Sequence, residues 1–241
     1  MGLLLFFVLV IIAVILHEFG HYLMARKCGV IADEFNIGMG PKICGKKWKG
    51  TEWNLRILPF GGSCVMDDSK VADLKSIDRV KIFFAGPLVN LVLSLVAFVA
   101  AALLAQNYNI FAVLFSWCKN VVLIVPTFFT SLVNSLSASA PTLSESGKVL
   151  ENVISEQTSL IGTVIYLHRL FFSLNAFLFI GNILPIPALD GGQIALELPG
   201  VFGKPLSPKK VAIANWVFYI LLMGVSGFYL IKDVVVTIIR A

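Results

Sequence analysis

Near the amino terminus, His17-Glu18-Phe19-Gly20-His21 has the HExxH spacing. On a helix, positions i and i+4 share one face about 6 Å apart along the axis, so two imidazoles there can grip one metal ion. The glutamate beside them can take a proton from a metal-bound water. The setting sharpens this reading. Gly2 to Leu16 carries no charge, and the first basic residues after His21 are Arg26 and Lys27. Such a run is long enough to cross a hydrocarbon core of about 30 Å. Histidine and glutamate inside a span are costly unless they bind something.

A hydrolytic zinc site uses three protein ligands and keeps one position for water. The third ligand must come from elsewhere in the chain. The stretch Asn182-Ile183-Leu184-Pro185-Ile186-Pro187-Ala188-Leu189-Asp190-Gly191-Gly192 is the best source. Two prolines at this spacing stop a helix. The unwound backbone and the glycines that follow leave Asp190 free to turn toward a metal. His168 competes by residue type, but it falls near the opposite side of the membrane. Glu197 is near in sequence, and we rank it below Asp190 because it falls on a following helix.

The remaining sequence must position these groups. The 241 residues are 58% hydrophobic and only 14% charged, with mean hydropathy +0.88. Soluble domains are nearer 25% charged. The fold class expected is an α-helical integral membrane protein with about four transmembrane helices and a cytoplasmic-side, membrane-associated β-hairpin. The spans are expected at about 3–25, 82–105, 161–184 and 211–231, within one membrane-embedded domain covering 1–241. Of 19 Lys and Arg, 11 lie between Arg26 and Lys81. This is the positive-inside pattern and not a nucleic-acid patch, since acidic residues dilute it and no basic-aromatic motif appears. The amino terminus is then outside, and both chemical stretches lie near the cytoplasmic face of the cell membrane.

Residues 33–62 alternate apolar and polar side chains, which predicts two strands turning at Lys46–Gly50 and ending at Pro59-Phe60-Gly61-Gly62. Pro87 is expected near the start of the second span. Two apolar pieces, 110–118 and 121–133, are each too short to span, so 106–160 reads as an interfacial or re-entrant outer-face segment. Its polar part, 135–159, reads as a loop and an amphipathic helix. Cys28, Cys44, Cys64 and Cys118 form no CxxC pair, and the first three fall on the reducing side.

With HEFGH in the first span, AGPLVN opening the second and NILPIPALDGG closing the third, the chain resembles the site-2 protease family of intramembrane zinc metalloproteases. Arg26–Val30, Phe35–Gly38, Leu58–Gly62 and Gly203–Ser207 are similar to the bacterial branch that cleaves anti-sigma factors. The match covers roughly 1–90 and 160–240. The resemblance implies one zinc ion per chain bound by His17, His21 and Asp190, with Glu18 as general base. It implies substrate-positioning roles for Asn90, Asn175 and Asn182, and a hairpin near the substrate path. The implied partners are the bilayer and a membrane protein with a transmembrane segment, with no nucleic acid. About 55 residues between the second and third spans cannot hold a PDZ domain of the usual size, about 90 residues, so this is a short form. Two rival readings keep the metal: a catalytically silent zinc scaffold, against which the intact Glu18 speaks, and a metal transporter, which would need a second cluster along a path.

Overall fold

The structure, a computed structural model, describes residues 2–135, 148, 151–153, 156 and 159–240. The elements in chain order are α1 (Gly2–Lys27), β1 (Glu34–Trp48), β2 (Thr51–Val65), α2 (Asp68–Ala72), α3 (Ser76–Leu104), α4 (Ile110–Ser135), α5 (Leu160–Ile183), α6 (Asp190–Val201) and α7 (Pro208–Arg240). Five of these helices are long and apolar enough to cross a membrane: α1, α3, α4, α5 and α7. A helix suits such a sequence because lipid offers no partner for backbone N–H and C=O groups, and a helix satisfies them internally.

The fifth candidate span is α4. The sequence reading divides it at Lys119, Asn120 and Pro126, yet residues 110–135 form one helix. Asn120 does not disrupt it, because its amide donates back to the Ser116 carbonyl at 2.7 Å. Around Pro126, Thr127 and Thr130 donate to the carbonyls of Leu123 and Pro126, which keeps polar groups paired beside the proline. Most of 136–159, including the expected loop and amphipathic helix, lies outside the described residues. Two other boundaries also differ from expectation. α3 begins six residues early at Ser76, so Pro87 sits inside it. β2 runs on through Gly61 and Gly62 to Val65.

The chain packs as two compact units. One comprises Leu9–Leu91 and Asn182–Trp216. In it, α1 ends in a Schellman-type cap: Gly29 is left-handed at φ 88°, and Val30 N–H reaches back to Ala25 O at 2.9 Å. Arg26 and Lys27 in the last turn suit the negative end of the helix dipole. The chain then enters the sheet. Its turn is Lys49-Gly50, both with positive φ, the type that matches hairpin twist. The pairing is more folded than a simple hairpin. Glu34 to Ile37 pair with 52–55 on one side and with 62–65 on the other. The segment 34–37 is therefore interior, and among the described residues no second strand pairs with 62–65. Phe35 and Trp53 project onto α1 and pack on Tyr22 and Phe19, burying the aromatic face of the sheet against the HExxH motif and the residue that follows it. Ala25, Val30 and Ile82 form a second cluster that joins the end of α1 to the start of α3.

The other unit comprises Met1–Val8, Val92–Gly181 and Val217–Ala241. Its core is Ala97, Phe172 and Ala176, with Trp117, Val121 and Ile124 against them. Trp117 Nε1 donates to Ser94 at 3.2 Å, and Phe128 packs on Phe177.

Candidate metal centre

The metal-binding candidates converge in the first unit. α1 carries His17 and His21 on one face, and their Nε2 atoms are 3.2 Å apart. Asp190 is the first residue of α6, and its Oδ2 lies 3.0 Å from His17 Nε2 and 3.4 Å from His21 Nε2. Among the described residues this trio is the group that could hold a metal ion. The separations fit the task. Four-coordinate zinc with bonds of about 2.0–2.1 Å and tetrahedral angles puts donor atoms about 3.3 Å apart.

The hydrogen bonds around the trio point the same way. His21 Nδ1 lies 2.8 Å from the Ile82 carbonyl, so Nδ1 carries the proton and Nε2 presents a lone pair. Asp190 Oδ2 is buried and makes no hydrogen bond of ordinary geometry despite its short distances to both rings. Lone pairs converging this closely repel one another unless a cation lies between them. Asn90 is fully buried against His17, with its Nδ2 drawn 3.0 Å from Nδ1 while its Oδ1 has no partner. The two amide orientations fill the same volume. Rotated, Oδ1 accepts from His17 Nδ1–H and gains the partner it lacks. That leaves Nε2 free as a ligand, the arrangement metal-bound histidines generally adopt.

The backbone makes room for these side chains. Gly86 of α3 faces the two imidazoles, and a Cβ there would lie 2.3 Å from His21 Nε2 and 2.7 Å from His17 Nε2. Gly191 and Gly192 let the chain fold back on itself, since a Cβ at either would meet the carbonyls of Ile183 or Ile186 within 2.3 Å. Just before Asp190, Ala188 adopts φ 75°, a left-handed conformation that costs an alanine about 1–2 kcal/mol. Asn215 of α7 holds that turn: its Oδ1 accepts from Ala188 N at 3.3 Å and from Gln193 Nε2 at 2.7 Å, and its own amide returns a bond to Gln193. Farther along α6, Glu197 pairs with Arg79 at 2.8 Å. Glu197 is therefore not among the converging donors. It fastens the helix that carries Asp190 to the start of α3.

Glu18 lies between the metal trio and the sheet. Its Oε2 accepts from Cys64 N–H at 3.0 Å, so it touches the strand 62–65 whose far side is unpaired. Cys64 is itself inert: burial first, then the Glu18 carboxylate, push its thiol up to about 12.

The other sequence candidates lie elsewhere. His168 belongs to the other unit, where its Nδ1 donates to the Val164 carbonyl. Asn175 is in that unit too, buried, and its amide donates to Phe171 O at 2.8 Å. Asn182 sits in the last turn of α5, eight residues before Asp190. Sequence reasoning did not single out Gly86, Asn215, Gln193 or Arg79. Only Gly86 left a signal, as the small residue of AGPLVN.

Comparison with known proteins agrees with this geometry. The model of peptidase family M50 matches residues 5–225. A protein of Clostridium perfringens named a candidate zinc metalloprotease is 26% identical, with 94% of this chain aligned to 96% of that one. A similarly named protein of Clostridium acetobutylicum is 27% identical over 93% of this chain and 94% of its own length. The first alignment runs over 324 positions, and 94% of 241 residues is about 227, so roughly 97 positions belong to the relative alone. A Neisseria meningitidis protein with the same kind of name is 37% identical over 108 residues, covering 40% of this chain and 24% of its own. With a match to the family over most of its length, an HExxH motif and five helices long and apolar enough to cross a membrane, the chain belongs to peptidase family M50 and is a multi-pass membrane zinc metalloprotease.

Proposed function

We propose that this protein is an intramembrane endopeptidase that hydrolyses a peptide bond in or near the transmembrane segment of another membrane protein, as in regulated intramembrane proteolysis. An anti-sigma factor or another single-span protein is the substrate class. The observation that carries the reading is the placing of Glu18 between a three-donor metal cluster and an open strand edge. His17, His21 and Asp190 are the ligands. A zinc ion held there supplies Lewis acidity toward a water and a peptide carbonyl. Glu18 accepts a proton from the attacking water on a carboxylate oxygen and returns it to the leaving amide nitrogen. Asn90 orients His17 through Nδ1, and the Ile82 carbonyl does the same for His21.

A helix keeps its peptide bonds hydrogen-bonded, so the substrate must unwind to react. The sheet supplies an alternative partner, since an extended segment can add to the free side of 62–65 and pass beside Glu18. Because 34–37 is paired on both sides, the open edge beside Glu18 belongs to 62–65. The amino terminus faces outside and the site opens near the cytoplasmic face, a reading supported by Arg26 and Lys27 directly after the span. Asn175 and Asn182 position the substrate from α5.

The test uses zinc-loaded protein in detergent with a panel of tagged single-span proteins. Cleavage of at least one, abolished by Glu18→Gln while one zinc per chain remains, is expected. Equal cleavage by Glu18→Gln overturns the role of Glu18, and no zinc in the parent overturns the site.

A further inference from the structure

The unit formed by Val92–Gly181 and its neighbours holds basic groups that the metal centre does not use. Lys119 and Arg169 each lie nine residues beyond the first residue of their helix, about 13 Å along the axis. Contacts show that α4 and α5 run the same way: Ser116 and Asn120 share a cavity with Arg169 and Ser173, and farther along Phe128 meets Phe177 and Gly181. The two cations, with His168 beside Arg169, therefore sit at one level. Neither α4 nor α5 contains an Asp or Glu. Among the described residues neither Lys119 nor Arg169 has an ion-pair partner. Basic side chains inside apolar spans are costly and are retained where something pairs with them.

The cavity beside Arg169 has a volume of about 440 Å³, within the range of small-molecule sites. One part of its lining is polar: Arg169, Asn107, Ser116 and Asn120. Another is the aromatic pair Phe98 and Phe172, with ring centroids 5.0 Å apart. Around it α4 exposes Phe111, Phe115 and Val122, side chains suited to lipid. We propose that this cavity binds the phosphate of a phospholipid. The guanidinium takes the phosphate oxygens, a geometry arginine matches with paired donors. The start of an acyl chain lies along the aromatic wall. Bare phosphate would leave that wall unused.

The experiment is native mass spectrometry of the delipidated full chain in detergent. It is titrated with phosphatidylglycerol, with diacylglycerol of the same chains, and with phosphatidylglycerol in the presence of millimolar inorganic phosphate. The parent should retain one phosphatidylglycerol with at least about tenfold preference over diacylglycerol, a ratio typical of a lost charged contact. Arg169→Gln should lose that preference and Arg169→Lys should keep part of it. Ala102→Phe should lose phospholipid binding with all charges intact, because it fills the cavity. A helical circular-dichroism spectrum and a thermal unfolding midpoint matching the parent report that the fold survives in each variant; if Arg169→Gln fails this check, the other two variants decide. Equal binding of the two lipids, or unchanged binding in both Arg169→Gln and Ala102→Phe, overturns the proposal. Displacement of phosphatidylglycerol by inorganic phosphate overturns the lipid assignment in favour of a free-anion site.

Discussion

Replacing Gly86 by alanine should separate folding from metal binding. The added Cβ would lie 2.3 Å from His21 Nε2 and 2.7 Å from His17 Nε2, whereas ordinary contact begins at 3.4 Å. The two nitrogens must therefore withdraw by about 1.1 and 0.7 Å. Metal–ligand distances tolerate only about 0.2 Å. The obstructing atoms are the ends of side chains, so the rings can swing aside without moving a helix. Alanine is also a better helix former than glycine by about 1 kcal/mol. The metal-free variant should thus unfold at the same temperature as the metal-free parent, or slightly above it. Zinc affinity should fall further than the 10–100-fold typical of disturbing a residue behind a ligand. At least about 100-fold is expected, or about 2.8 kcal/mol. The assay is competition with a chromophoric chelator, with zinc per chain after desalting and thermal unfolding of the stripped proteins alongside. Zinc affinity within threefold of the parent would refute the assignment of Nε2 as the ligating atom of both rings.

Other perturbations test the supporting contacts. Asn90→Ala should weaken zinc binding about 10–100-fold by releasing His17 Nδ1, read by the same competition; unchanged affinity would show that Asn90 serves packing alone. Glu197→Gln should keep one zinc per chain but destabilise the protein by about 2–3 kcal/mol. That is less than a fully buried pair, because both partners keep some solvent contact, 16% and 18% of their side chains. Loss of zinc with unchanged stability would make Glu197 a ligand instead. Cys64, with its thiol pushed up to about 12, should react with a maleimide at pH 8 at least about a hundredfold slower than exposed Cys44, because the thiolate is the nucleophile. Its rate should climb about tenfold per pH unit as ionisation increases toward 12. Equal rates by mass spectrometry at pH 8 would show that Cys64 is as open to solvent as Cys44.

The sequence by itself determined the local chemistry. His17 and His21 share a helix face through backbone geometry alone, and the absence of charge before them marks a span. Two prolines spaced like Pro185 and Pro187 stop a helix, so an aspartate beyond them reads as movable. Interactions between distant segments were not legible in this way. Lys119, Asn120 and Pro126 read as interruptions of α4, yet Asn120 satisfies itself within the helix and the helix packs around Trp117. Alternation between Phe35 and Ile57 predicted strands but not that 34–37 would be enclosed on both sides, because register depends on which edges meet. Likewise, Glu197 could be a ligand or a partner of Arg79, and only the docking of α6 on α3 decides between them. Gly86 reads as a small residue in a motif, and its purpose is visible only once two imidazoles stand where its side chain would be. Periodicity and chain-breaking residues act over a turn or two and can be read from order alone. Asp190, the space around it and the strand beside Glu18 come from segments far apart in the chain, whose meeting depends on packing.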